Sequence, residues 1–234
     1  MIDSLQSQHA PSLSAAHLYQ ATAVLNATLG RCAPWRRGIS DRVLIQTLGG
    51  LFIVRDQQQI EIRGKGRTLL VELLAHGGYD VCAARVAHAL WPHGEHDYAM
   101  GALNTTLYRL RKQPGMADVV SLHDGRLSIV PQCCVVDRWV LESAVDAATV
   151  VLELGHIERD EAALRQLLSV IVSTYRGPLF SMDDGATVEA ARAQLRAQVL
   201  MLVQRAEVLL NGVNDEPLGW CARVNATHPI HLAA

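Results

Sequence analysis

Hydroxyl and cationic side chains recur at helical spacing between Asp97 and Lys112. Thr105 and Arg109 are one helical turn apart, so both lie on the outward face of a predicted helix. A guanidinium can donate two hydrogen bonds to a guanine edge, and a threonine can contact a thymine methyl group or an adjacent acceptor. This spacing therefore favours contact with base edges in the major groove of DNA.

The polar residues beside this pair suit a phosphate backbone. Thr106 and Tyr108 flank the outward face, where a hydroxyl group would meet phosphate. Arg111 and Lys112 close the helix, where they would also lie near the backbone. Asn104 lies closer to the buried side, where it either braces the helix or contacts adenine.

The other face of this helix is apolar, with residues at the spacing of a core-facing stripe: Met100, Leu103, Leu107 and Leu110. Asp97 precedes the helix and is expected to be its N-cap. The alternative interpretation is an ordinary surface helix, because terminal Arg and Lys residues also favour the negative end of a helix dipole.

Short strands and two more helices must position this helix. Alternating β-branched and polar residues in VLIQTLGGLFIVRDQQQIEIRG predict antiparallel strands. Helices are predicted over about Arg67–His76, which a Gly-Gly pair ends, and over about Cys82–Trp91, which a proline ends. Downstream, VVSLHDGRLSIV predicts a hairpin that turns at Asp-Gly. Its Arg126 would enter a minor groove or, alternatively, lie on a solvated hairpin tip.

In this order the elements resemble a winged helix-turn-helix of the OmpR/PhoB type, particularly the version in SARP-type antibiotic-regulatory activators and maltose-regulator-like proteins. The resemblance covers about residues 42 to 143 and lies in these segments: TLGGLFIVRD, LLVELLAHGGYDV, ALWP, TTLYRLRK, DGRLSIVP and VDRWVLESA. It implies that Thr105 and Arg109 occupy base-contacting positions. Gly101 and Ala102 depart from response-regulator relatives, which often carry Arg and Thr there, so contacts from the first turn are expected to be lost.

The remaining chain is predicted to be helical over about Arg138–Leu154, Asp160–Tyr175 and Thr187–Asn211. The longest helix carries a broad apolar stripe: Leu195, Val199, Leu202, Val203, Ala206 and Leu209. In the family that the chain resembles, this position holds a bacterial transcriptional activation domain of tetratricopeptide-like hairpins, and YRGPLF matches its signature. The stack is expected to be incomplete and to leave an apolar surface for a partner or a second copy.

Charge and composition limit the type of DNA binding. The net charge is −2, with +1 over residues 41–138 and −5 over residues 139–234. Affinity would therefore depend on a local cationic patch with these members: Arg109, Arg111, Lys112 and Arg126, helped by Lys65 and Arg67. Such a patch implies modest affinity for each copy and a need for dimers or tandem sites.

Other function classes have little support in the sequence. HGEH at 93–96 has an HxxH spacing but lacks the HExxH order of a zinc protease, and phosphate-loop and GxSxG motifs are absent. Asp183, Asp184 and Glu189 are expected to favour the positive end of the next helix rather than to form a catalytic cluster. No catalytic residue, metal ligand or cofactor is predicted.

The location of the chain is predicted to be cytoplasmic. No apolar run approaches the ~20 residues of a membrane span, and the first residues lack the features of a secretory signal. Five cysteines without CxxC spacing indicate reduced thiols.

These observations predict an α+β chain in three parts: an N-terminal helix and linker (1–40), a winged helix-turn-helix with small antiparallel sheets (41–137) and an incomplete, all-α tetratricopeptide-like domain (138–234). Trp91 and Trp139 are expected to be largely buried. The predicted function is a sequence-specific DNA-binding transcriptional regulator of activator type. Its partners would be double-stranded DNA and a second copy, with RNA polymerase a further candidate and no membrane contact. The alternative is a degenerate relative that acts as a protein-interaction module.

Overall fold

The computed structural model describes residues 42–154, 160–211 and 219–227, so the helix and linker predicted for residues 1–40 lie outside the described residues. The strands are β1 (Val43–Gln46), β2 (Phe52–Arg55), β3 (Gln58–Ile60), β4 (Val81–Cys82), β5 (Val120–His123), β6 (Arg126–Ile129) and β7 (Cys134–Val136). The helices are α1 (Gly64–Ala75), α2 (Ala83–Leu90), α3 (His96–Arg111), α4 (Asp137–Glu153), α5 (Glu161–Thr174), α6 (Ala186–Asn211) and α7 (Trp220–Ala226). The chain is therefore mixed α+β, as predicted.

The first sheet has the strand order β3-β2-β1-β7. Strands β1 to β3 are antiparallel, and the tight turn between β2 and β3 places Asp56 and Gln57 at positive φ angles of 51° and 62°. Strand β1 also pairs in parallel with β7, with Val43 opposite Cys134. The prediction of purely antiparallel sheets is therefore wrong for this pair, which joins segments about ninety residues apart.

Helix α1 ends as the sequence predicts. The Gly77 amide donates to the Leu74 carbonyl and the Gly78 amide to the Leu73 carbonyl, at 3.0 and 2.9 Å. Both glycines have positive φ angles, so they form a left-handed cap that satisfies the last carbonyls of the helix.

Helix α3 begins differently from the prediction. Its N-cap residue is Glu95, whose side chain makes no capping hydrogen bond, and Asp97 lies within the first turn. The predicted N-cap role of Asp97 is therefore wrong. A carboxylate in the first turn still favours the positive end of the helix dipole.

The second sheet has the order β4-β6-β5 and is antiparallel throughout. Leu127 of β6 lies opposite both Val81 and Leu122. The hairpin turn consists of Asp124 and Gly125, with φ angles of 47° and 72°, as the Asp-Gly dipeptide predicts.

A buried carboxylate joins the first sheet to the helices that follow. Asp137, the first residue of α4, is fully buried and accepts hydrogen bonds from the Thr47 amide at 2.8 Å, the Thr47 hydroxyl at 2.6 Å and the Leu48 amide at 3.0 Å. The Arg138 amide donates a fourth at 2.7 Å. Burial raises the pKa of the Asp137 carboxyl, and these donors oppose the rise.

The next two residues attach α4 to the end of α1. Arg138 donates to the carbonyls of Leu74 and Ala75 at 2.7 and 3.1 Å, and the Trp139 indole donates to the Gly77 carbonyl at 2.8 Å. Side chains of α4 thus bind carbonyls in the last turn of α1 and in the glycine cap that follows it.

The segment YRGPLF (175–180) packs against the end of β1. The Phe180 amide donates to the Thr47 carbonyl, and the Gly49 amide donates to the Pro178 carbonyl. A Cβ atom at Gly177 would lie 3.1 Å from the Gly49 Cα, so the close approach of the two backbones favours glycine.

A single hydrophobic core extends from the first sheet through α1–α3 into α4–α7. The predicted boundary at 137/138 falls just inside α4, whose first residue is Asp137. Leu209 of the predicted α6 stripe is exposed, and Leu210 occupies the buried position instead. Trp91 and Trp139 are half-buried, which is less than predicted. None of the described helices is both long enough and apolar enough to span a bilayer.

Candidate nucleic-acid interface

Helix α3 has one buried and one exposed face. Its core-facing residues are Ala99, Leu103, Leu107 and Leu110, and Met100 is half-buried beside them. The exposed face carries Asp97, Tyr98, Gly101, Asn104, Thr105, Tyr108 and Arg109, followed by Lys112 at the C-cap. The predicted amphipathic pattern is confirmed. Asn104 is exposed, so its predicted position near the buried side is wrong.

Thr105 and Arg109 lie one turn apart on this exposed face. The Thr105 hydroxyl donates to the Gly101 carbonyl of its own helix at 3.0 Å. Its hydrogen is therefore used within the helix, which leaves a methyl group and an oxygen lone pair for a ligand. Arg109 makes no hydrogen bond or ion pair with the described residues, so all its donors are available.

Tyr108 and Lys112 form a pair on the same face. The Lys112 ammonium lies 5.5 Å from the Tyr108 ring centroid, within the range of a cation–π contact. Tyr108 is 63% exposed, so this contact orders the two side chains without burying them. A phenol hydroxyl and a cation are thereby presented together at the C-terminal end of α3.

The structure gives the other two predicted residues of α3 internal roles. The Thr106 hydroxyl donates to the Ala102 carbonyl at 2.8 Å. The Arg111 guanidinium donates through Nε and Nη2 to the Val120 carbonyl at 3.0 and 2.9 Å, which attaches α3 to β5. Arg111 follows the buried Leu107 by four residues, and this spacing already places it beside the core-facing stripe.

The β5–β6 hairpin supplies one exposed cation. Arg126 donates to the Asp80 carbonyl at 3.1 Å, and its Nη1 lies 3.9 Å from the Asp80 carboxylate. At the hairpin tip, the His123 ring lies 3.0 Å from the Asp124 carboxylate. The charge of Arg126 is therefore partly offset by acidic neighbours, and the side chain is held toward β4.

Lys65 is exposed and Arg67 is half-buried, and both already have partners among the described residues. Lys65 donates to the Leu90 carbonyl at 2.9 Å and lies 5.4 Å from the Trp91 ring centroid. Arg67 forms a two-point ion pair with Asp183, with distances of 2.6 and 3.2 Å. Asp183 is therefore an ion-pair partner of α1, a role that the sequence did not indicate.

Two exposed aromatic side chains were not predicted from the sequence to be functional. Tyr98 is 65% exposed in the first turn of α3, and Tyr79 is 67% exposed just before β4. Large exposed aromatics commonly mark contact surfaces, because they bury much area with little loss of conformational freedom. Both tyrosines have polar or glycine neighbours in the sequence, and this pattern could have indicated that they are exposed.

Cys82 is the N-cap residue of α2. Hydrogen bonds from the amides of Arg85 and Ala84 lower the pKa of its thiol, as expected at a helix N-terminus. The described residues contain no group of three His, Cys, Asp or Glu side chains placed to hold a metal ion, and the HxxH segment lies among them.

The arrangement can therefore present a methyl group, a phenol hydroxyl, an amide and two cations along one helix, and neither cation has an acidic partner among the described residues. These groups match the chemistry of base edges and phosphates. Neither the family models nor the curated proteins with which the chain was compared gave a match.

Proposed function

We propose that this chain is a sequence-specific DNA-binding transcriptional regulator in which α1–α3 and the β5–β6 hairpin act as a winged helix-turn-helix. The main supporting observation is the exposed face of α3, where Thr105 and Arg109 lie one turn apart and Arg109 has no partner among the described residues. In the proposal, α3 enters the major groove, Arg109 donates to guanine, and the Thr105 methyl contacts thymine.

Phosphate contacts in this proposal come from few groups. Lys112 and Tyr108 lie beside the base-contacting pair, and Arg126 lies on the hairpin. Because two or three cations release only a few counterions, each copy binds weakly, and two copies on one DNA are needed for a specific complex.

The helical region, residues 137–227, serves in this proposal as a tetratricopeptide-like module for self-association or contact with RNA polymerase. A cytoplasmic location agrees with the free thiols of Cys82, Cys133, Cys134 and Cys221. No catalytic role is part of the proposal.

The second candidate function is a protein-interaction module. It is favoured by acidic groups near the cations, since Asp97 lies on α3, Asp80 lies beside Arg126, and Asp124 lies at the hairpin tip. The exposed Tyr79 and Tyr98 would suit a protein surface equally well.

Selection from a random double-stranded DNA library tests the proposal. Repeated rounds of binding and sequencing are expected to enrich one motif, present as two half-sites. Carrying the Arg109→Ala variant through the same rounds provides the control, and it should lose one position of each half-site. Enrichment of no motif by the unmodified chain contradicts the proposal and favours the protein-interaction module.

A further inference from the structure

A groove of about 430 Å³ lies between α4 and α6, away from α3. Its apolar lining includes Val145, Leu195 and Leu202, and its rim includes Asp146, Met201 and Arg205. Met201 is 60% exposed, so an unbranched apolar side chain lies open to solvent at the groove. The groove can therefore accept a side chain from a second helix.

The exposed rim of α6 has the spacing of a helix–helix contact. Five exposed residues follow one another at alternating steps of four and three: Gln194, Gln198, Met201, Arg205 and Val208. The spacing is that of a 3.5-residue repeat, and its two apolar members, Met201 and Val208, lie seven residues apart on one face, where a second helix could cover both. Val208 is 76% exposed, so its apolar surface lacks a cover within the described part of the chain.

Among the described residues, the groove carries one unpaired charge of each sign. Asp146 lies on α4 and Arg205 on α6, both are exposed, and neither forms an ion pair with another described residue. Glu142, on the same wall as Asp146, already pairs with Arg138 at 2.7 Å. A surface with one unpaired acid and one unpaired base is complementary to a second copy of itself related by a two-fold axis.

The register of the two helices supports this pairing. Arg138 at the start of α4 and Thr187 at the start of α6 both donate to the last turns of α1, so the helices run in the same direction. Asp146 follows Arg138 by eight residues, and Leu195 follows Thr187 by eight residues. Asp146 and Leu195 therefore lie at about the same height along the two helices. An axis through Met201 would place the second copy's Arg205 level with Ala197, only about 3 Å further along the helix. An arginine side chain can span that offset.

We propose that the α4–α6 groove is the interface between two copies of this chain. In this dimer the two α6 helices cross antiparallel at Met201, and each Asp146 pairs with Arg205 of the other copy. The inference stands on the groove itself and does not depend on DNA binding. It also provides the second α3 helix that the proposed function requires.

Exchange of the two charges between copies tests the interface. Sedimentation equilibrium at tens of micromolar is expected to give twice the 25.5 kDa chain mass. Asp146→Arg alone and Arg205→Asp alone each create two like-charge pairs, so each should raise the dimer Kd at least about tenfold. An equimolar mixture of the two variants should dimerise again, because every contact then joins opposite charges. Pairing within one copy cannot produce that rescue.

The control is Met182→Arg, which changes a methionine that is 79% exposed outside the groove and should leave the dimer intact. Far-UV circular dichroism checks that each variant is folded. A monomeric parent chain, a dimer that survives both charge reversals, or a mixture that stays monomeric overturns the proposal. DNA selection is scored separately, so a dimer that enriches no motif contradicts the DNA-binding function alone.

Discussion

The junction between β1 and α4 and the exposed face of α3 are both rich in polar side chains, but they use them in opposite ways. At the junction, the Asp137 carboxylate accepts four hydrogen bonds, and Arg138 donates to two carbonyls. On α3, Arg109 has no partner among the described residues. Residue type alone therefore does not separate side chains that stabilise the fold from side chains that are available to a ligand.

The same contrast occurs within α3 over two positions. Arg109 points to solvent, whereas Arg111 is half-buried and bonded to the Val120 carbonyl. Substitution of Arg109 therefore tests binding, and substitution of Arg111 on the same helix tests folding.

The largest expected effect is that of Asp137→Ala. The substitution leaves the amides of Thr47 and Leu48 buried without an acceptor, so the free energy of unfolding should fall by about 3 kcal/mol or more. Urea denaturation followed by circular dichroism measures this loss. Asp137→Asn keeps one acceptor oxygen and should lose less. A loss below about 1 kcal/mol for Asp137→Ala would show that these bonds contribute little net stability.

Arg111→Ala should have a smaller effect on stability. It removes two charge-assisted hydrogen bonds to one carbonyl, and the expected cost is about 1 to 2 kcal/mol of unfolding free energy. Arg109→Ala, the matched control on the same helix, should change stability by no more than about 0.5 kcal/mol. Equal losses for the two variants would remove the distinction between them.

Lys112→Ala should have the smallest effect, and on binding alone. The loss of one phosphate contact lowers affinity for every duplex alike and reduces the slope of log K against log salt by about 0.9. Fluorescence anisotropy titrations at several salt concentrations measure the slope. An unchanged slope would show that Lys112 does not contact phosphate.

The helices and hairpins could largely be predicted from the sequence because their signals are local. The bounds of α3, α4, α5 and α6 follow from apolar spacing to within one or two residues, and Asp-Gly predicts the β5–β6 turn. The exposed positions of Thr105, Tyr108 and Arg109 follow from the same periodicity.

Several of the misses depend on contacts between distant segments, unlike the N-cap of α3, which was wrong by two residues within one helix. The parallel pairing of β1 with β7 and the Arg67–Asp183 ion pair each join residues about ninety or more positions apart. No local pattern indicates that Asp137 would be buried beneath Thr47 and Leu48. The internal role of Arg111 was partly predictable from its angle on the helix, but its acceptor on β5 was not.

A binding cycle between protein and DNA variants tests whether Arg109 contacts a guanine. The unmodified chain and Arg109→Ala are titrated against the selected duplex and against each of its single-base-pair variants. We expect a coupling of about 1 to 3 kcal/mol between Arg109 and one G·C pair of each half-site, and near-zero coupling elsewhere. Arg223→Ala, which changes an exposed arginine of α7, should show no coupling. If Arg109→Ala weakens all duplexes equally, or weakens none, the account is contradicted.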